Sequence, residues 1–303
     1  MLNPIMAFSA TRRMRSFRTM LIVIAYVCAL LLLALAFLGQ FLGNSVTLSG
    51  MVQGPRCYLA LLVAQFILLI LIAPAMTSAS IAGERERQTL ELLLVTNTGS
   101  LRIVIGKVME SFAMLALLIV CGLPVMCLCL LTGGVSIGQI MIGELFLLAE
   151  AFACVSVGVF CSAASRSTVL SGVLSYLMIL AIGVVTTLPF LFGYPQKITD
   201  VVYDRSLYAA LTAEGARSMI SPLLYLNPGF GLMALAQGEL HVFSDYAGNL
   251  GWGRILCTWY MGDRAGWIFI ALVCAAGMLL ISAGLLALAA LMIRRKKTAI
   301  HNS

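Results

Sequence analysis

Residues 19–42 read TMLIVIAYVCALLLLALAFLGQFL, twenty-four positions without a charged side chain. At about 1.5 Å per helical residue the run reaches about 36 Å, enough to cross a hydrocarbon core of about 30 Å. Arg12, Arg13, Arg15 and Arg18 precede it, as basic residues precede a secretory signal. The run is longer than the h-region of about 7–15 residues found in signals, and no small-x-small cleavage site closes it, so it reads as a retained anchor. Five further stretches share its character: 58–82, 103–131, 139–164, 168–192 and 266–293. Six spans and their connections fill the 303 residues. Only 10% of them are charged and 61% are hydrophobic, where a soluble domain is about 25% charged. The reading is an all-α integral membrane protein with six transmembrane helices in a single transmembrane domain, 1–303.

Orientation follows from the basic residues. With the N-terminus inside, thirteen of the nineteen Lys and Arg face the cytoplasm: the N-terminal arm, Arg85, Arg87, Arg102 and Lys107 after span two, Arg166, and the cluster Arg294, Arg295, Lys296 and Lys297. Five of the remaining six sit in one long outer segment, 193–265, where the positive-inside rule loses force. The net charge of +7 is therefore topological and gives no reason to expect a nucleic acid as partner. The terminal basic cluster reads as a stop-transfer signal that also suits anionic membrane lipid.

The outer segment is rich in aromatic and apolar residues and should fold against the bilayer. Within it, MISPLLYLNPGFGLMALAQG (219–238) is broken by Pro222 and Pro228, which predicts a re-entrant or surface helix pair rather than a straight span. Seven of the nine cysteines lie in apolar runs, where Cys serves as a small hydrophobe. Cys57 and Cys257 fall in or beside loops, and whether they pair is not readable.

The most informative loop follows span two. GERERQTLELLLVTNTG (83–99) runs from a dense charge cluster into leucines at helical spacing, Leu90, Leu93 and Leu94. This predicts a short helix across the inner face. Its charged end could bond a soluble partner, and a solvated interfacial loop with no partner fits the pattern as well.

The order of an NPI opening at Asn3, a basic arm at 12–18, span one, AGERERQTLELLLVTNTG and Gly106-Lys107 resembles the permease subunits of the ABC type-2 transporters. LPV at 123–125, GGVS at 133–136 and LNP at 226–228 are similar to further elements of that family. The resemblance implies half of an exporter, paired with a second permease subunit of the same or a related chain, in a bacterial cytoplasmic membrane with both termini inside. It implies an elbow helix containing Arg12, Arg13 and Arg15. It also implies a coupling helix whose Glu84, Arg85, Glu86, Thr89, Leu90 and Glu91 dock onto a separate ABC ATPase. Gln88 stands where Gly is common in that family, which predicts a stiffer start to the coupling helix.

A phosphate-binding P-loop needs G-x-x-x-x-G-K-[ST]. Gly106-Lys107 has Leu101 at the position of the first glycine and Val108 at that of the hydroxyl. ATP and magnesium are therefore expected on the partner, and no enzymatic activity or cofactor on this chain. Glu150 lies about 16 Å into span four, where a carboxylate is expensive and marks a pathway or inter-helix polar site. Glu144, six residues away, points to another helix face, so no carboxylate dyad follows. Lys107 and Glu110 are expected to pair at i,i+3. His241 and His301 are too far apart in sequence to suggest a metal site, and Cys121, Cys127, Cys129 and Met126 read as span filler rather than metal ligands. Gly39-x-x-x-Gly43 and the small residues 282–284 predict close helix approach. Two rival readings stand: a secondary transporter or channel using Glu150, and a membrane scaffold without transport. The cargo is not legible.

Overall fold

The computed structural model describes residues 17–43, 53–89, 99–131, 135–193, 226–240 and 264–301. These carry eight helices and no strand: α1 Phe17–Gly43, α2 Gln53–Thr77, α3 Ala82–Glu86, α4 Ser100–Leu131, α5 Ile137–Ala164, α6 Thr168–Gly193, α7 Pro228–Leu240 and α8 Arg264–His301. Six of them are long and apolar enough to span a membrane, so the six-span, all-α expectation holds. Arg12, Arg13, Arg15, Leu90, Glu91, His241 and Cys257 lie outside the described residues.

Span two ends earlier than its hydropathy suggests. The Thr77 hydroxyl donates back to the Ala73 carbonyl at 2.8 Å, and the chain turns through Ser78 to Ile81 before α3. The small, apolar residues of that turn read as membrane in the sequence. Span four begins at a capping box: the Ser136 hydroxyl accepts from the Gln139 amide at 3.3 Å, and the Gln139 side chain accepts from the Ser136 amide.

The described residues form two compact units, 1–179 with 279–303, and 180–278. In the first, α1, α2, α4 and α5 pack on one another. The most enclosed helix is α5, with Leu147, Ala151, Val155 and Val159 each at 1% exposure or less. Glycines set the spacing. A Cβ on Gly158 would lie 2.7 Å from the Thr77 Cβ, and one on Gly122 would lie 2.8 Å from the Gln65 amide nitrogen. Gly143 admits the Tyr58 side chain in the same way, with the Tyr58 hydroxyl donating to the Gln139 carbonyl at 3.0 Å. Small residues at such points let backbones approach where hydrophobic burial offers little drive between helices. Of the small residues expected to allow close approach, Ser282 is buried, whereas a Cβ on Gly39 or Gly284 meets nothing within 4 Å among the described residues. Outward-facing Leu32, Val169 and Leu180 are apolar and exposed, as suits a lipid-facing surface.

In the second unit, Ala234 of α7 packs with Ile270 and Cys274 of α8 into a small core, flanked by Phe230. Of the expected helix pair, the described residues contain one helix, α7, with Pro228 at its first position, where its missing N–H costs nothing.

Candidate functional site

A five-residue helix has little stability of its own, because nucleation fixes several residues for each bond gained. The first unit holds α3 in place from outside. Its cap residue, Ile81, offers no side-chain acceptor. The Ser162 hydroxyl, near the end of α5, accepts instead from the Ile81 and Ala82 amides at 3.0 and 2.9 Å and donates to the Ser78 carbonyl at 2.9 Å. Ile81 and Ala82 are buried, so without Ser162 two amides would be left unpaired away from water.

The three charges that follow each engage a different helix. Glu84 pairs with Lys107 of α4 at 2.5 Å. The expected Lys107–Glu110 pair is present at 3.8 Å, but the contact with Glu84 is the shorter one. The Arg85 guanidinium donates to the carbonyls of Ala163, at 3.0 Å, and Ser165, where α5 ends. A cation there satisfies carbonyls without helical partners and complements the helix dipole. Glu86 accepts from the Thr168 amide at 2.8 Å and its hydroxyl at 3.1 Å, at the first turn of α6, where Ser167 also accepts from Leu170. An anion at that end is the electrostatic complement of Arg85 at the other.

Gln88 lies past the end of α3, in the turn before Thr89. Its φ of 58° is left-handed, and its amide donates to the Arg85 carbonyl at 3.1 Å. This is the position after a helix end where glycine is favoured, so Gln88 carries strain that Gly would not. Outside helical geometry, Gln88 adds no helix propensity over Gly at its own position. The Thr89 hydroxyl donates to the Glu84 carbonyl at 3.2 Å, closing the turn, and the side chains of Arg87, Gln88 and Thr89 are exposed.

Of the candidate residues, Glu84, Arg85 and Glu86 lie in α3 and Thr89 just beyond it. The partners Ser162, Thr168 and the α5 carbonyls lie about eighty residues on and gave no signal. Glu150 is 2% exposed in α5, and neither of its carboxylate oxygens has a hydrogen-bond partner among the described residues. Glu144, also buried, accepts from the Gln65 amide at 3.2 Å, so its partner is on α2. Among the described residues no group of three or more His, Cys, Asp or Glu could hold a metal ion.

In the second unit, Asn227 has a role that its sequence did not disclose. Its Oδ1 accepts from the Phe230 amide at 3.1 Å and caps α7. Its Nδ2 donates toward the Gly183 carbonyl at 3.0 Å and the hydroxyls of Thr186 and Thr187 at 2.8 Å each, fastening α7 to α6.

The family model described as ABC-2 family transporter protein matches residues 5–297. The chain belongs to the ABC-2 transporter family. No curated protein matches it individually. As an ABC-2 family member it is the membrane-spanning permease part of an ABC transporter and not the ATPase, and an ABC ATPase is the class of partner that membership implies. The charged segment and LNP elements that the sequence singled out thus fall within the matched residues, at α3 and at the cap of α7.

Proposed function

We propose that this ABC-2 permease forms the membrane pathway of an exporter with a second copy or a related chain, driven by separate ATPase subunits that bind ATP and magnesium. The observation that carries the reading is α3, which engages the ends of α4, α5 and α6 at one place. A push delivered there moves three spans together, as a subunit without a nucleotide site of its own requires. On this reading the candidate contacts divide. Glu84, Arg85 and Glu86 act as positioning residues that pass the push to the helix ends. Arg87 and Thr89, together with Leu90 and Glu91 beyond the described residues, meet the ATPase. The excess of basic residues on the α3 side supports cytoplasmic termini in a bacterial cytoplasmic membrane.

The test is co-purification of the tagged chain from native membranes in mild detergent, with mass spectrometry of what accompanies it. The expected result is a P-loop ATPase near one-to-one, lost from an Arg87→Glu, Glu91→Arg variant that still elutes as a single species. Recovery of the wild-type chain without an ATPase under several gentle conditions overturns the reading. The two unpartnered oxygens of Glu150 favour a second role, a polar site on the pathway or in an ion route. A Glu150→Gln protein that keeps its ATPase but loses transport supports that role, and unchanged transport makes Glu150 a packing group.

A further inference from the structure

The first unit also brings two thiols from different spans into contact, far from the charged segment. Cys57 is the fifth residue of α2 and Cys129 the third from the end of α4. Their sulfurs are 3.6 Å apart, with the Cys129 thiol donating to the Cys57 sulfur. Packing imposes this contact, since Cys57 is 3% exposed and Cys129 is 0% exposed.

We propose that Cys57 and Cys129 are a redox pair that closes a reversible disulfide between the ends of α2 and α4. A disulfide needs its sulfurs about 2.05 Å apart, so they must close by about 1.5 Å. At about 1.5 Å per residue both lie within about 6 Å of a helix end, and fraying of those terminal turns is the route by which an oxidant reaches them. Thiols at midspan have no such access.

The reaction takes a small disulfide as oxidant. Cys57, the more exposed thiol, loses its proton to solvent and attacks one sulfur of the oxidant, forming a mixed disulfide and expelling one thiolate. Cys129 then loses its proton and displaces the second thiolate. The protein gains one S–S bond and loses two protons and two electrons, and the oxidant leaves as two thiols. The bond closes a 72-residue interval that contains α3 and the Glu84–Lys107 pair. Oxidation therefore ties together the far ends of two helices whose near ends the charged segment already joins. The inference is independent of the transport reading.

The experiment incubates the full-length protein, in its membranes, with oxidised or reduced glutathione. Free thiols are then alkylated under denaturing conditions and peptides mapped by mass spectrometry. The expected product after oxidation is a Cys57–Cys129 linked peptide, lighter by two hydrogens than the two thiol peptides together and absent after dithiothreitol. The oxidised wild type, but not Cys57→Ala, should also melt at a higher temperature than its reduced form, because the link closes a long loop. Full alkylation of both cysteines after oxidation overturns the proposal, as does a link from Cys57 to another cysteine such as Cys257. The wild-type map decides, so a folding defect in the variant cannot imitate either result.

Discussion

Replacing Gly158 by Ala sets two effects against each other. Glycine in a helix interior costs about 1 kcal/mol relative to alanine, so propensity alone predicts a stabilised α5. The added methyl would lie 2.7 Å from the Thr77 Cβ, however, and ordinary carbon contacts begin near 3.4 Å. No side-chain rotation relieves this, because both atoms are fixed to their backbones. The two helices must separate by about 0.7 Å, and the Thr77 hydroxyl must also leave the Ala73 carbonyl. Overpacking of this kind costs typically about 1–3 kcal/mol and the lost hydrogen bond about 1 more, which outweighs the propensity gain and leaves about 2 kcal/mol of destabilisation. For a chain of 303 residues that lowers the apparent melting temperature by about 3 °C. Fluorescence-detected size exclusion after stepwise heating in detergent measures it. Thr77→Gly placed with Gly158→Ala removes the opposing Cβ and should restore at least half of the loss, a non-additivity expected only of residues in contact. A Gly158→Ala protein that melts at or above the wild type would refute the argument and show that α2 and α5 are not held this closely.

Two further substitutions test other parts of the geometry. Gln88→Gly removes the left-handed strain after α3 and should stabilise the protein by up to about 1 kcal/mol, seen as a small rise in melting temperature, whereas Gln88→Val should lower it. Asn227→Asp keeps the acceptor that caps α7 but loses the amide donors to Gly183, Thr186 and Thr187, and should cost about 2–3 kcal/mol; protease protection of residues 228–240 would fall, and protection equal to wild type would exclude the anchoring role.

The spans were legible because hydropathy over twenty or more residues is a strong signal and is set locally. Their ends were not, as span two shows: Ser78, Ala79, Ser80, Ile81 and Ala82 are small or apolar, and only the Thr77 back-bond and the Ser162 hydroxyl reveal that the chain has left the helix. The charged segment was visible as a cluster, but the direction of each charge depends on groups far along the chain. Lys107 illustrates the difference, since the i,i+3 rule pointed to Glu110 while Glu84 lies closer in space. Of the glycines that do seat neighbours, Gly122 and Gly143 belong to no small-x-x-x-small motif, while Gly39, which does, faces open space among the described residues. Motif glycines report that a close approach is permitted. Which approach occurs is a property of the assembled bundle.

The dependence of α3 on Ser162, Ala163, Ser165 and Thr168 bears on the order in which the protein is made. Every group that caps or anchors the five-residue helix, apart from Lys107, is synthesised about eighty residues after it. A ribosome that has delivered the first two spans has produced a segment with nothing to hold it, and one turn of helix does not persist alone. The surface that α3 presents is thus completed only after span four has entered the membrane and span five has begun. A chain arrested or truncated before that point would display its anchor, but not the folded segment.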